Sequence, residues 1–97
     1  MFEIQFTAGA AEDMRWLSKS ERRSALRDLE LQLRYEPDAE ARNRKRLRPN
    51  QLAEWELRVG RFRIFYDIDR PKHLIKVLAV GYKVGSRLCI RGREYPI

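Results

Sequence analysis

The sequence predicts an α+β fold in which an N-terminal strand and a helical hairpin pack on a mostly antiparallel sheet. Three observations carry that expectation. Phe2 to Phe6 alternates apolar and polar residues, a helical period runs from Ala10 to Leu33, and the stretch WELRVGRFRIFY, Trp55 to Tyr66, reads as a β-hairpin. The chain of 97 residues suits one domain, spanning 1–97, with a core large enough to fold without disulfides.

Phe2, Ile4 and Phe6 alternate with Glu3 and Gln5, which predicts a short strand at or near a sheet edge. Ala10, Met14 and Leu17 then follow at spacings of three and four, the mark of a first helix. Ser18-Lys19-Ser20-Glu21 offers a capping box for a second helix, whose Leu26, Leu29 and Leu33 share one stripe. Glu30 and Arg34 add a favourable pair four residues apart, and Glu36-Pro37 ends the helix. Its apolar stripe needs a sheet to cover.

From Asp38 to Asn50 the hydrophobic period is lost and Arg42, Arg44, Lys45, Arg46 and Arg48 crowd together. The segment reads as an exposed basic linker with local helical tendency. After the quoted hairpin, Asp69 to His73 forms a turn. LIKVLAVGYK, Leu74 to Lys83, is almost continuously apolar and suits a central strand covered on both faces. Residues 87–90 and 93–97 form a last hairpin about Arg91-Gly92.

The formal net charge is +7, so polyanions are the natural partners: nucleic acid, an anionic membrane or an acidic protein. Cys89 is the only cysteine, which rules out an internal disulfide and agrees with a reducing, cytoplasmic setting; it is expected to be buried and inert. The N-terminus lacks the pattern of a signal peptide, and no apolar run reaches membrane-spanning length. One histidine and one cysteine cannot supply a zinc site, and His73 reads as a solvated turn residue. Glycines 81, 85 and 92 lack the order of a phosphate loop, so no cofactor is expected.

If Gly60-Arg61 form a two-residue turn, Val59 faces Phe62, Leu57 faces Ile64 and Trp55 faces Tyr66, all on one side of the sheet. The same register sets Arg58 opposite Arg63 on the other side, with Glu56 opposite Phe65. Like charges directly opposed cost up to ~1 kcal/mol. Either Glu56 neutralises the two arginines in an ordinary ion-pair network, or they await an external anion such as phosphate. Both hold together if an arriving phosphate displaces Glu56. Phe65, Tyr82 and Tyr95 could stack on bases or simply pack.

These residues, in this order, resemble the toxins of the RelE/ParE superfamily of bacterial type II toxin-antitoxin modules. The resemblance covers nearly the whole chain. It is carried by Leu52-Ala53-Glu54-Trp55-Glu56-Leu57-Arg58-Val59-Gly60-Arg61-Phe62-Arg63-Ile64-Phe65-Tyr66-Asp67 and by Leu78-Ala79-Val80-Gly81-Tyr82-Lys83. It implies that the helical hairpin packs on a twisted sheet, and that a cognate antitoxin is a partner.

Toxins of the RelE branch cut messenger RNA in the ribosomal A site, by attack of a ribose 2′-hydroxyl on the adjacent phosphate and without a metal. By position, Arg63 resembles the strand arginine that contacts the scissile phosphate, and Lys83 a basic residue that supports the transition state or leaving group. Glu54 and Glu56 stand about where the best-known ribosome-dependent toxins carry lysines, and Cys89 about where they carry a tyrosine. Glu56 is then the candidate general base toward the 2′-hydroxyl. Arg58, Arg42, Arg44, Lys45, Arg46, Arg48, Arg61 and Arg87 are the candidate RNA contacts. The ParE branch shares the architecture but inhibits DNA gyrase through protein contacts, and this alternative stays open. Expected partners are therefore the antitoxin and the ribosome with its messenger RNA, or else gyrase, and no membrane.

Overall fold

A computed structural model describes residues 1–95. Its elements run β1 (Glu3–Phe6), α1 (Ala8–Met14), α2 (Lys19–Leu33), β2 (Arg44–Arg46), β3 (Trp55–Val59), β4 (Phe62–Asp69), β5 (Leu74–Val84), β6 (Arg87–Ile90) and β7 (Arg93–Glu94). The strands form one sheet in the order β2-β3-β4-β5-β6-β7, and β1 adds to the free side of β5. Every pairing is antiparallel except β1 with β5. No helix among the described residues is long and apolar enough to cross a membrane.

The two helices lie on one face of the sheet, where Trp55, Leu57, Val59, Phe62, Ile64 and Tyr66 meet Ala10, Met14, Leu29 and Leu33 in the main core. Removing side chains of this size from water contributes roughly 1.5–3 kcal/mol each. Thr7 caps α1 by accepting from the Ala10 amide at 3.1 Å. The capping box of α2 forms as its sequence predicts, with Ser18 and Glu21 bonding reciprocally. The Glu30–Arg34 pair is also present.

Three local expectations need correction. The buried stripe of α2 is Ala25, Leu29 and Leu33, while Leu26 is exposed. A stripe through positions four apart turns the small Ala25 to the sheet and leaves Leu26 on its flank. The basic segment before β3 is not helical, since Arg44–Arg46 is an edge strand paired with β3. The strand is favoured because pairing with β3 satisfies backbone groups that a solvated linker would leave to water. In the last hairpin, β7 is only Arg93–Glu94, and residues 96 and 97 of its expected arm lie outside the described residues.

The central hairpin has the predicted register throughout, from Trp55 opposite Tyr66 to Val59 opposite Phe62. Gly60 has φ +57°, the left-handed conformation that a side chain resists. The near-continuous apolar run of β5 has a specific cause. Phe65 pairs with Ala79 and Tyr66 with Val77, so Leu78 is an extra residue in a bulge. Leu78 and Ala79 thereby fall on the same outer face, where they join Ala53, Phe65, Leu88 and Ile90 in a second apolar cluster.

Candidate functional site

Strand alternation chooses the side chains that reach the outer face of the sheet, away from the helices. Leu57 and Val59 enter the main core, so Glu56 and Arg58 point outward from β3. Arg63 and Phe65 do the same on β4, Lys83 on β5 and Lys45 on β2. Lys45 stands directly opposite Glu56, and Arg58 directly opposite Arg63.

Glu56 lies at the centre of this charge and is only 8% exposed. Its Oε1 accepts from Arg58 Nε at 3.0 Å and stands 3.9 Å from Arg63 Nε. The acid thus neutralises the facing arginines, but as a buried group rather than a surface one. The two arginines differ sharply. The Arg58 side chain is 47% exposed and that of Arg63 15%. Arg63 Nη1 donates to the carbonyls of Gly60 at 2.8 Å and Phe62 at 2.9 Å, while its Nε is buried without a hydrogen bond. Burial pushes the Arg63 guanidinium below its ordinary pKa, Glu56 raises it again, and Arg58 adds to the fall. An arginine held this way remains charged at neutral pH.

Beside the Glu56–Arg58 pair opens a groove of ≈ 340 Å³, lined by Lys45, Leu47, Arg48, Pro49, Asn50, Glu56, Arg58 and Lys83. Four cations face one carboxylate there, a composition suited to an anionic chain. One wall is fixed by Asn50, a residue the sequence reading passed over. Its Nδ2 donates to the carbonyls of Arg48 and Ala53, and its Oδ1 accepts from the amides of Leu52 and Ala53. Pro49-Asn50 is a turn signal that could have drawn attention to it.

The remaining sequence candidates lie elsewhere. Arg44 turns to the helix side, donating to Ala39 O at 2.9 Å and to Gln32 O and Oε1 at 2.9 and 3.1 Å. Arg46 stacks on Trp55 with 5.9 Å to the ring centroid and pairs with Glu54 at 3.6 Å. Arg61 pairs with Glu21 of α2 at 3.1 Å and lies over Phe62 and Tyr82. Arg87 pairs with Glu94 at 3.6 Å, and Arg42 is exposed outside the groove lining. Phe65 is fully buried, and Tyr82 and Tyr95 pack against the two clusters. Cys89 is partly exposed rather than buried. Among the described residues no group of three or more His, Cys, Asp or Glu side chains is placed to hold a metal ion.

A family model described as the ParE toxin of the type II toxin-antitoxin system, parDE, matches residues 4–83. The chain belongs to the ParE toxin family. Among solved structures, this toxin is similar to a chain of the toxin-antitoxin complex RelBE2 from Mycobacterium tuberculosis. The TM-score is 0.70 at 25% identity, with 84% of this chain and 98% of that one covered. A chain of the archaeal RelE-RelB complex from Pyrococcus horikoshii OT3 shares the fold, with TM-score 0.65, 20% identity and coverage of 81% and 91%. No curated protein matches the sequence. The toxin thus has the RelE-like α+β fold.

Proposed function

We propose that the toxin acts on ribosome-bound messenger RNA, cutting it by attack of a ribose 2′-hydroxyl on the adjacent phosphate. The observation that carries this reading is the groove itself, which Lys45, Arg48, Arg58 and Lys83 line together with the single acid Glu56. An RNA phosphate arriving there competes with Glu56 for Arg58. Arg58 is half exposed and so within reach of solvent and of an incoming anion, and the exchange releases a carboxylate beside the new substrate.

Each group then has a role. Glu56 takes the proton of the 2′-hydroxyl as the bond from O2′ to phosphorus forms. Arg58 and Arg63 stabilise charge on the non-bridging oxygens. The bond from phosphorus to O5′ breaks, the Lys83 ammonium gives its proton to the departing oxygen, and the products are a 2′,3′-cyclic phosphate and a 5′-hydroxyl. Mapping cuts on ribosome-bound messenger RNA after induction of the toxin tests the reading. Expected are cuts that vanish in Lys83→Ala; intact messenger RNA during growth arrest would overturn it. If single-stranded RNA is held through Z phosphates, log affinity falls against log salt with slope about −0.7Z.

A second reading is inhibition of DNA gyrase through protein contacts. It is favoured by Arg63, whose Nη1 is spent on carbonyls of its own hairpin, and by the glutamates at 54 and 56. A supercoiling assay run beside the cleavage map separates the two.

A further inference from the structure

The groove has neighbouring concavities along the outer face of the sheet. It shares the loop 47–50 with a neighbouring concavity, and that concavity shares Leu52 and Leu78 with a third, of ≈ 660 Å³. The third has a different chemistry. Its floor is apolar, including Leu52, Leu78 and Tyr95, and its rim carries Arg91 and Arg93.

The rim is built rather than incidental. Arg91 has φ +51°, and its Nε lies 2.8 Å from Oδ1 of Asp13, whose other oxygen accepts from the Val80 amide. The charge pair places the guanidinium at the edge of the cavity, although Oδ1 of Asp13 accepts no hydrogen bond. Glu94, the other acid there, is paired with Arg87, and Arg93 has no ion-pair partner among the described residues. Cations line the groove and the rim of the third cavity, whose floor is apolar and aromatic, while the concavity between them carries Glu54 and Asp67. Charge beside a flat apolar floor suits a single-stranded nucleic acid, which needs charge for its phosphates and apolar contact for its bases.

Resting on the RNA reading above, we propose that the third cavity is a second RNA subsite, holding one unpaired nucleotide of the strand whose backbone occupies the groove. Its base lies against Leu52, Leu78 and Tyr95, and its phosphate on Arg93. This subsite gives the toxin a preference for an extended single strand over a dinucleotide.

Fluorescence anisotropy of the full chain with a dinucleotide and with a longer single-stranded RNA tests it. Arg93→Gln is expected to narrow the affinity gap between the two and to reduce the salt slope for the longer RNA by about 0.7. Tyr95→Leu keeps apolar packing but removes the ring, and is expected to weaken the longer RNA roughly fivefold or more. That loss should disappear when the strand is abasic at the matching position. If both variants bind the longer RNA like the parent while Lys83→Ala weakens both lengths, the subsite is wrong and the RNA reading stands. If the parent binds neither RNA, the subsite is wrong, and the cleavage map on ribosome-bound messenger RNA decides the RNA reading by itself. Loss of antitoxin binding alone in Arg93→Gln would assign the cavity to an acidic protein segment and overturn the inference.

Discussion

Asp13 of α1 accepts a hydrogen bond from the Val80 amide of β5 at 2.9 Å. β1 pairs with β5 only as far as Val77, and the pairing of β6 with β5 starts at Tyr82, so the strand edge between them has no strand neighbour. The helix closes this gap with side chains: Thr7 Oγ1 donates to Leu78 O at 3.4 Å, and Asp13 serves Val80. A buried acid on a short helix is thus a substitute for a missing strand.

Asp13→Ala should destabilise the toxin by about 1–3 kcal/mol, since it leaves a buried amide without a partner. Burial raises the Asp13 pKa above its ordinary 3.8, against the opposing pull of the Val80 amide and Arg91, with Glu12 adding to the rise. The native state therefore holds this proton more tightly than the unfolded chain. Its contribution to stability is greatest below pH 3.8, falls as pH rises through the raised native pKa, and is level above it. Urea denaturation of Asp13→Asn and the parent across acidic pH should give a difference curve with this slope; a flat one would contradict it.

Glu56→Gln should separate neutralisation from catalysis. Without the carboxylate, Arg58 and Arg63 oppose each other unbalanced, and stability should fall by about 1 kcal/mol. RNA binding should tighten, because an incoming phosphate no longer competes with an internal acid. Cleavage should instead drop by roughly 10²–10⁴-fold, the usual effect of losing a general base. Tighter binding with undiminished cutting would remove Glu56 from the chemistry.

Gly81 is required by β6. A Cβ at this position would lie 2.6 Å from the Cys89 carbonyl oxygen and 2.9 Å from Ile90 Cγ1. Backbone cannot yield as a flexible side chain does, so Gly81→Ala should cost about 1–3 kcal/mol. Thermal melts of the toxin would register it, and an unchanged midpoint would mean that β6 can shift without penalty.

Arg63→Ala and Lys83→Ala should both abolish growth arrest, yet differ in the folded protein. Arg63 ties its Nη1 to two carbonyls at the hairpin turn, so its loss should also lower the melting temperature. Lys83 projects into the groove, and its replacement should leave the melt close to that of the parent. Full toxicity in the double variant would dismiss the catalytic assignment.

Much of this architecture follows from local order in the chain. Trp55 to Tyr66 alternates so strictly that a slip of one residue would expose the whole core face, and the register with Arg58 opposite Arg63 is the one that survives. The capping box at Ser18 and Glu21 is equally local. The cations of residues 42–48 are another matter. Once β2 pairs with β3, Lys45 joins Glu56 outside while Arg44 and Arg46 turn to the helix side. Composition shows that charge is dense there, but the face each side chain meets depends on which distant strand it pairs with. The bulge at Leu78, the reach of Asp13 to Val80 and the hold of Gln32 on Arg44 depend likewise on partners elsewhere in the fold. Periodicity is a property of neighbours along the chain, whereas the composition of a groove comes from residues that meet only when the sheet assembles.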